Sequence, residues 1–312
     1  MERSSTSTGE QRRHQATWHA VVLHWGRLSD TAACLASIAP LGFDQILLVD
    51  GGTGAAELDQ IAAAAPSVKL VHIDENRGYG AGNNVGLRMA CRAGAEFVTV
   101  CNNDVIVEYP DLINDAETAF REGASVGVLS PQVFYRDGGW RVDPVNLRYE
   151  RLVFGRLLGR GLGQPIGFPS ILSPTLSFNG CCWLVPAGVL ARAGFLREDL
   201  FLYHEELEYA VRVRQAGFWC AQVGAGRGRV LHRGGTTAGI SPDQAYYNGR
   251  NQLLVLESFP PASRPGLRVL AMTRVGWMAF RCLKAGRVAS AGQCIVGMVD
   301  GLRGRRGKRE SG

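Results

Sequence analysis

Four groups of side chains in this sequence have the types and spacing to do chemistry. Asn102-Asn103-Asp104 closes a short apolar run. A carboxylate just past a strand end, flanked by amides, can hold a hard divalent cation that also binds two phosphate oxygens, and Asp104 would be that ligand. The same triplet suits a turn or a helix cap. Glu205, Glu206 and Glu208 fall within four positions and are followed by Arg212 and Arg214. On a helix Glu208 and Arg212 form an i,i+4 pair, while Glu206 points about a hundred degrees away from Glu205. Glu206 or Glu205 is then placed to face a cleft as a general base, although acids in a first helical turn also complement the dipole without any chemistry. His232 ends another apolar run and can ligate a metal, donate to a phosphate, or serve the fold alone. Asp50 stands after a further run, where acids of nucleotide-binding folds take a base or ribose hydrogen bond and where turn aspartates are equally at home.

The elements that must position these groups alternate regularly. Apolar, β-branched runs at 19–24, 45–49, 68–73 and 97–101 read as buried parallel strands. Helical stretches are expected between them at 30–38, 55–64 and 82–93, which makes βαβ units. In such sheets ligands bind beyond the carboxyl ends of the strands, so Asp50, the glycine-rich segment 75–84 and Asn102-Asn103-Asp104 should open on one rim. The run Gly78-Tyr79-Gly80-Ala81-Gly82 carries neither a P-loop lysine nor G-x-G-x-x-G spacing, which argues against ATPase and NAD chemistry. Its amides would still approach a diphosphate. Further on, strands are expected at 126–133 and 177–185, a helix at 204–216, and strands at 218–223 and 228–232. Residues 140–174, rich in Arg, Gly and Pro, read as a variable excursion, and 1–17 as disordered.

Composition narrows the class. The chain has 312 residues and a net charge of +6, but positions 264–312 alone hold eleven basic residues against Asp300 and Glu310, a local +9 that leaves −3 for the rest. That basic segment lacks a zinc-finger, helix-turn-helix or aromatic RNA-binding signature, so nucleic acid is not the expected partner. An anionic membrane surface suits it better. The eight cysteines include no C-x-x-C pair and read as small core residues. Without a secretory leader or a long apolar run, the expected location is cytoplasmic, with peripheral contact at the inner face of the cell membrane.

Taken in order, the motifs resemble the family 2 glycosyltransferases of GT-A fold, in particular a bacterial rhamnosyltransferase-like branch. The resemblance rests on Val21-Val22-Leu23-His24-Trp25, Leu47-Leu48-Val49-Asp50-Gly51-Gly52-Thr53, the segment from Glu75 to Gly86, and Asn102-Asn103-Asp104. Phe178-Asn179-Gly180-Cys181-Cys182, the stretch from Phe201 through Glu208 to Arg212, His232, and Tyr247-Asn248-Gly249-Arg250-Asn251 complete it over about residues 18–255. It implies an α/β fold with a Rossmann-like, mostly parallel central sheet over 18–260, followed by a helical, basic appendage over 261–312. It further implies an inverting hexosyltransferase that uses a nucleotide-sugar donor of dTDP-rhamnose or UDP-sugar type and Mg2+ or Mn2+. The acceptor would be a cell-surface glycan or a lipid-linked precursor. Under the resemblance Glu206, with Glu205, is catalytic, Asp104 and His232 are the metal set, and Asp50, Gly78, Asn84, Asn103, Asp104 and Arg212 bind the donor. Three positions depart from the family pattern: His24 replaces the usual Asn, Asp50-Gly51-Gly52-Thr53 the usual Asp-Asn-Gly-Ser, and Glu206 the usual Asp.

Two other readings of the same residues remain: a catalytically inactive sugar-nucleotide-binding protein and a nucleotidyltransferase. The second wants basic residues in a glycine-rich loop directly after the first strand, where this chain has Trp25-Gly26-Arg27-Leu28. In the tail, 267–283 reads as an amphipathic helix with Arg274, Arg281 and Lys284 on one arc. Its apolar side either packs on the domain or lies on an anionic leaflet.

Overall fold

The expected βαβ runs assemble the parallel half of a sheet. In the computed structural model, residues 16–53, 56–63, 67–122, 125–136, 140–142, 172–223, 226–233 and 240–309 are described. Strands β1 (Trp18–His24), β2 (Gln45–Asp50), β3 (Val68–His72) and β4 (Phe97–Asn102) lie in the order β3-β2-β1-β4, all parallel. They are joined through α1 (Leu28–Ile38), α2 (Glu57–Ala63) and α3 (Tyr79–Arg92). Alternation along the strands serves two cores: Trp18, Ala20 and Val22 join Ile46 and Leu48 on one face, Val21 joins Leu47, Val49, Val98 and Val100 on the other.

After β5 (Val105–Glu108) and α4 (Leu112–Glu122) come β6 (Val126–Pro131), β7 (Val133–Arg136), β8 (Trp140–Val142), β9 (Leu172–Thr175) and β10 (Cys182–Pro186). Helices α5 (Ala187–Ala193) and α6 (Glu205–Gln215) precede β11 (Trp219–Val223) and β12 (Arg229–His232). The eight-stranded sheet runs β3-β2-β1-β4-β10-β6-β11-β9, with β10 antiparallel to both neighbours, and a second sheet runs β5-β12-β7-β8. The chain changes sheets at Gln132, which splits the single strand expected over 126–133. The strand expected over 177–185 is confined to β10, because Asn179 Oδ1 accepts from the Cys181 amide and turns the backbone before it. The excursion over 140–174 survives as β8 and the start of β9; positions 143–171, like 1–15, lie outside the described residues.

Helix α3 begins three residues earlier than expected, since its glycines serve packing rather than a loop. A Cβ on Gly82 would sit 2.6 Å from Leu23 Cδ1, and one on Gly86 2.4 Å from Val21 Cγ1, so bare backbone lets the helix lie on β1. The last helices are α7 (Pro242–Leu254), α8 (Arg264–Lys284) and α9 (Val288–Leu302), and α7 and α9 use the same device. A Cβ on Gly297 would lie 2.1 Å from the Tyr246 carbonyl oxygen, and one on Gly249 2.5 Å from that of Cys294, so α9 and α7 touch backbone to backbone. Tyr246 Oη donates to Asp300 across the same contact. Sequence pattern had pointed to one helix in this region; α9 is a second. All eight cysteines are free and, apart from half-buried Cys91, buried.

Gly297→Ala should therefore cost about 2 kcal/mol or more through overpacking, despite a helix-propensity gain of about 1 kcal/mol. Gly276→Ala in exposed α8, where a Cβ meets nothing within 4 Å, should stabilise instead. Urea unfolding of the two variants measures both signs.

Candidate active site

The carboxyl ends of the parallel strands form a rim. His24 on β1 is level with Asp50 on β2, and Leu23 with Asn102 on β4, so the three ends stand side by side. At the rim, buried Asp50 accepts from the Thr53 amide at 2.9 Å and the Thr53 hydroxyl at 2.6 Å through Oδ1, and its Oδ2 lies 3.2 Å from His72 Nδ1. That carboxylate raises the pKa of His72. Buried His24 bonds to the Thr31 hydroxyl at 2.6 Å, and burial lowers its pKa. Asn103 Nδ2 donates to the same hydroxyl at 2.9 Å and to the Trp25 carbonyl at 3.1 Å, tying the end of β4 to that of β1. Asp104 Oδ1 meets His232 Nε2 at 3.1 Å, bringing together two residues separated by most of the domain.

Beside this pair opens a cavity of about 430 Å³. His232, Asn102, Tyr79, Glu206, Glu205 and Arg274 are among the residues that line it. Glu206 projects from the first turn of α6 toward Gly180: a Cβ there would be 3.2 Å from its Oε1. Tyr79 Oη closes the wall by donating to the Gly180 carbonyl at 2.5 Å. Glu205 is buried, with Oε1 unpartnered among the described residues. Burial, reinforced by the adjacent charge of Glu206, raises its pKa well above the usual carboxylate value. His204 is held neutral, its pKa pushed down to about 3 by burial and by Arg274. The two neighbouring glutamates thus differ in surroundings: both line the cavity, but Glu205 is buried with a raised pKa while Glu206 reaches across to Gly180.

A strained loop sets this geometry. Phe201, Tyr203 and His204 have φ of 65°, 71° and 74°, values that cost L residues about 1–3 kcal/mol each unless the surroundings hold them. Asn251 on α7 does so, with Nδ2 donating to the carbonyls of Leu200, Leu202 and Tyr203 at 3.0, 2.8 and 2.9 Å. Arg250 adds a bond of 2.7 Å to the Leu200 carbonyl. From the other side the Tyr79 amide donates to the Phe201 carbonyl at 2.8 Å. Gly78, at φ +89°, admits that carbonyl: a Cβ would stand 2.1 Å from its oxygen.

Three residues expected against the donor are placed elsewhere. The Gly78 amide is bonded to Asn76 Oδ1 and that of Tyr79 to the Phe201 carbonyl, and the glycine run is the start of α3 and not a loop. Asn84 exchanges both ends of its amide with Leu196 and also donates to Glu198. Arg212 forks onto Glu208 and donates to the carbonyls of Ala193 and Phe195, an i,i+4 pair that fastens α5 to α6. Tyr135 and Arg274 line the cavity without having been singled out for it, whereas Tyr79, Asn179, His204 and Asn248 sit in motifs that carried the resemblance. Among the described residues no three His, Cys, Asp or Glu side chains form a ready metal cluster.

An α/β sheet that gathers acids and a histidine at its carboxyl rim is the GT-A arrangement that the motifs implied. The family profile described as Glycosyl transferase family 2 matches residues 21–185, just over half of the chain, and the chain belongs to that family; it is a glycosyltransferase. It is 28% identical over 244 residues to the low-salt glycan biosynthesis hexosyltransferase of Haloferax volcanii, covering 75% of this chain and 76% of that one. In fold it is similar to S. aureus TarS 1-349 in complex with UDP, with TM-score 0.56 and 14% identity over 92% of each chain. GalNAc-T7 with UDP, GalNAc and Mn2+ gives TM-score 0.52 at 14% identity, covering 80% of this chain; the chain spans only about half of that protein, 51%.

Asn251→Ala leaves buried carbonyls of the strained loop without their donor and should cost about 2–4 kcal/mol in urea unfolding. Glu205→Gln should stabilise. The native state keeps a proton on Glu205 that the unfolded chain loses above about pH 4.3, so wild-type stability falls as pH rises from there toward the raised folded value. The gain in Tm should be near zero at about pH 4 and grow toward neutrality; a gain that shrinks with rising pH contradicts the protonated assignment.

Proposed function

We propose that this chain is an inverting transferase that moves a sugar from a nucleoside-diphosphate sugar, of dTDP-rhamnose or UDP-sugar type, to a hydroxyl group. The acceptor is a glycan or a lipid-linked precursor presented at an anionic membrane surface. The observation that carries the reading is the shared cavity: Glu206 lines it together with His232, and Asp104 touches His232. The rim supports the remainder of the donor. Strands spaced about 4.8 Å apart put Asp50 two strands from Asn102, a span suited to a base or ribose at Asp50 and a diphosphate near Asp104. Trp25, 55% exposed beside Gly51, offers a stacking surface there.

The residues present fit a divalent cation. One carboxylate and one imidazole meet at 3.1 Å, and the buried Nδ1 of His232 has no partner among the described residues. Asp104 and His232 would hold Mg2+ or Mn2+, leaving its other positions to phosphate oxygens; when bound, it supplies neutralisation of the leaving diphosphate. TarS and GalNAc-T7 were crystallised with UDP, the latter also with Mn2+. Glu206 takes the proton of the acceptor hydroxyl as that oxygen bonds to the anomeric carbon. The bond from that carbon to the diphosphate oxygen breaks on the opposite face, its electron pair leaves with the nucleoside diphosphate, and the configuration inverts. Glu205 is buried beside it, and burial together with the charge of Glu206 raises its pKa, which disfavours a second negative charge next to the base. The extra methylene of Glu206, relative to the usual Asp, is accommodated by bare Gly180 opposite.

Turnover over a panel of UDP-, dTDP- and GDP-sugars tests the proposal. Glu206→Gln should lower kcat by about a hundredfold or more with donor affinity retained, and Asp104→Asn should abolish the response to Mn2+. Normal turnover in Glu206→Gln removes the base assignment, and pyrophosphate as product instead of nucleoside diphosphate would favour nucleotidyl transfer.

A further inference from the structure

Of the large apolar side chains exposed among the described residues, every one except Trp25 lies on α8 or α9. Helix α8 has two apolar sides. Leu267, Ala271, Val275, Ala279 and Cys282 form the buried stripe, while Val269, Phe280 and Leu283 face water on the opposite side. Trp277 and Phe280 stack with ring centroids 5.4 Å apart and remain 60% and 47% exposed. On α9 Val288, Ile295, Val296 and Leu302 are exposed, with 288, 295 and 302 recurring at helical spacing. The sole charged residue of α9, Asp300, is buried against Tyr246. A surface helix normally turns polar residues outward, so two adjacent apolar outer faces need a covering.

The charges around these faces say which one. Arg268, Arg281 and Lys284 on α8 and Arg303 beyond α9 are exposed, as is Arg305, which also pairs with Asp300 at 3.1 Å. Asp300 is the only acid in 264–309. A second copy meeting this face about a two-fold axis would bring the same cations together with no exposed acid to pair them. An anionic bilayer presents the complementary charge together with an apolar interior. No helix among the described residues is long and apolar enough to cross a membrane, so the pair would lie along the interface.

We propose that α8 and α9 form a docking face for an anionic lipid surface, with Trp277 and Phe280 inserted at headgroup depth and the flanking Arg and Lys on the phosphates. The expected cationic arc of α8 divides accordingly: Arg281 and Lys284 are exposed, whereas Arg274 is half-buried and lines the cavity that holds Glu206. One helix therefore serves both the lipid-facing side and the reaction cavity. The proposal rests on the transferase reading only for its purpose, the delivery of a lipid-linked acceptor.

Flotation of the full chain with vesicles of phosphatidylcholine alone, or with about 30% phosphatidylglycerol, tests it. Binding is expected to the anionic vesicles, weakened by high salt and reduced about tenfold or more in the double variant Trp277→Ser with Phe280→Ser; both side chains are exposed, and far-UV circular dichroism checks that the variant folds. No flotation with anionic vesicles, or flotation equal in the double variant, overturns the proposal. So does a concentration-dependent dimer that the double variant abolishes, which would assign the face to a second copy. Thermal stabilisation by UDP with Mn2+ is read on the same samples: its absence in a chain that floats sinks the donor reading and leaves the docking face standing.

Discussion

The site depends on Asn251 holding a backbone that would otherwise relax. Three non-glycine residues with positive φ occur within four positions, and the helix carrying both candidate acids starts immediately after them. Any shift of that loop redirects the first turn of α6, and with it the direction of Glu206. One amide from α7, together with Gly78 and Tyr79 from α3, converts an unfavourable conformation into a fixed one. Strain stored beside a reactive group in this manner is a form of preorganisation.

That constraint explains the uneven distribution of polar side chains. Asn84 and Arg212 look like ligand-binding residues by type, yet each is engaged by backbone or by side chains of the fold, and Asn103 Nδ2 is likewise taken up by Thr31 and Trp25. A GT-A sheet leaves many irregular connections at its carboxyl rim, and their carbonyls and amides require internal partners once they are buried. Glu206 and His232 are among the polar groups that line the cavity instead.

Much of this was legible in sequence, for identifiable reasons. The strand and helix order followed from hydrophobic period, and Asp50 and Asn102 stand at the ends of the strands flanking β1, as the strand-end rule expects. Glu206 and His232 line the cavity, whereas Asp50 is not among its lining residues. The glycine run from Gly78 to Gly86 was misleading, because sequence cannot distinguish a glycine that admits a phosphate from one that admits a neighbouring carbonyl or a valine methyl. The positive-φ residues Phe201, Tyr203 and His204 carried little signal, since only the histidine is a type enriched at positive φ, and the carbonyls of Phe201 and Tyr203 are held from α3 and α7. Arg274 falls on the cationic arc that sequence gives, yet it lines the cavity, because periodicity gives an angle around an axis and not the neighbour found there.

The contact of α9 with α7 has a consequence for the anatomy of the chain. Gly297 and Gly249 bring the two helices together backbone to backbone, and Asn251 lies two residues past Gly249, on the helix that grips the strained loop. The C-terminal segment is thus a buttress behind the reaction centre as well as an outer surface. A chain cut before α9 would lose both at once, and its silence would say nothing about either one separately.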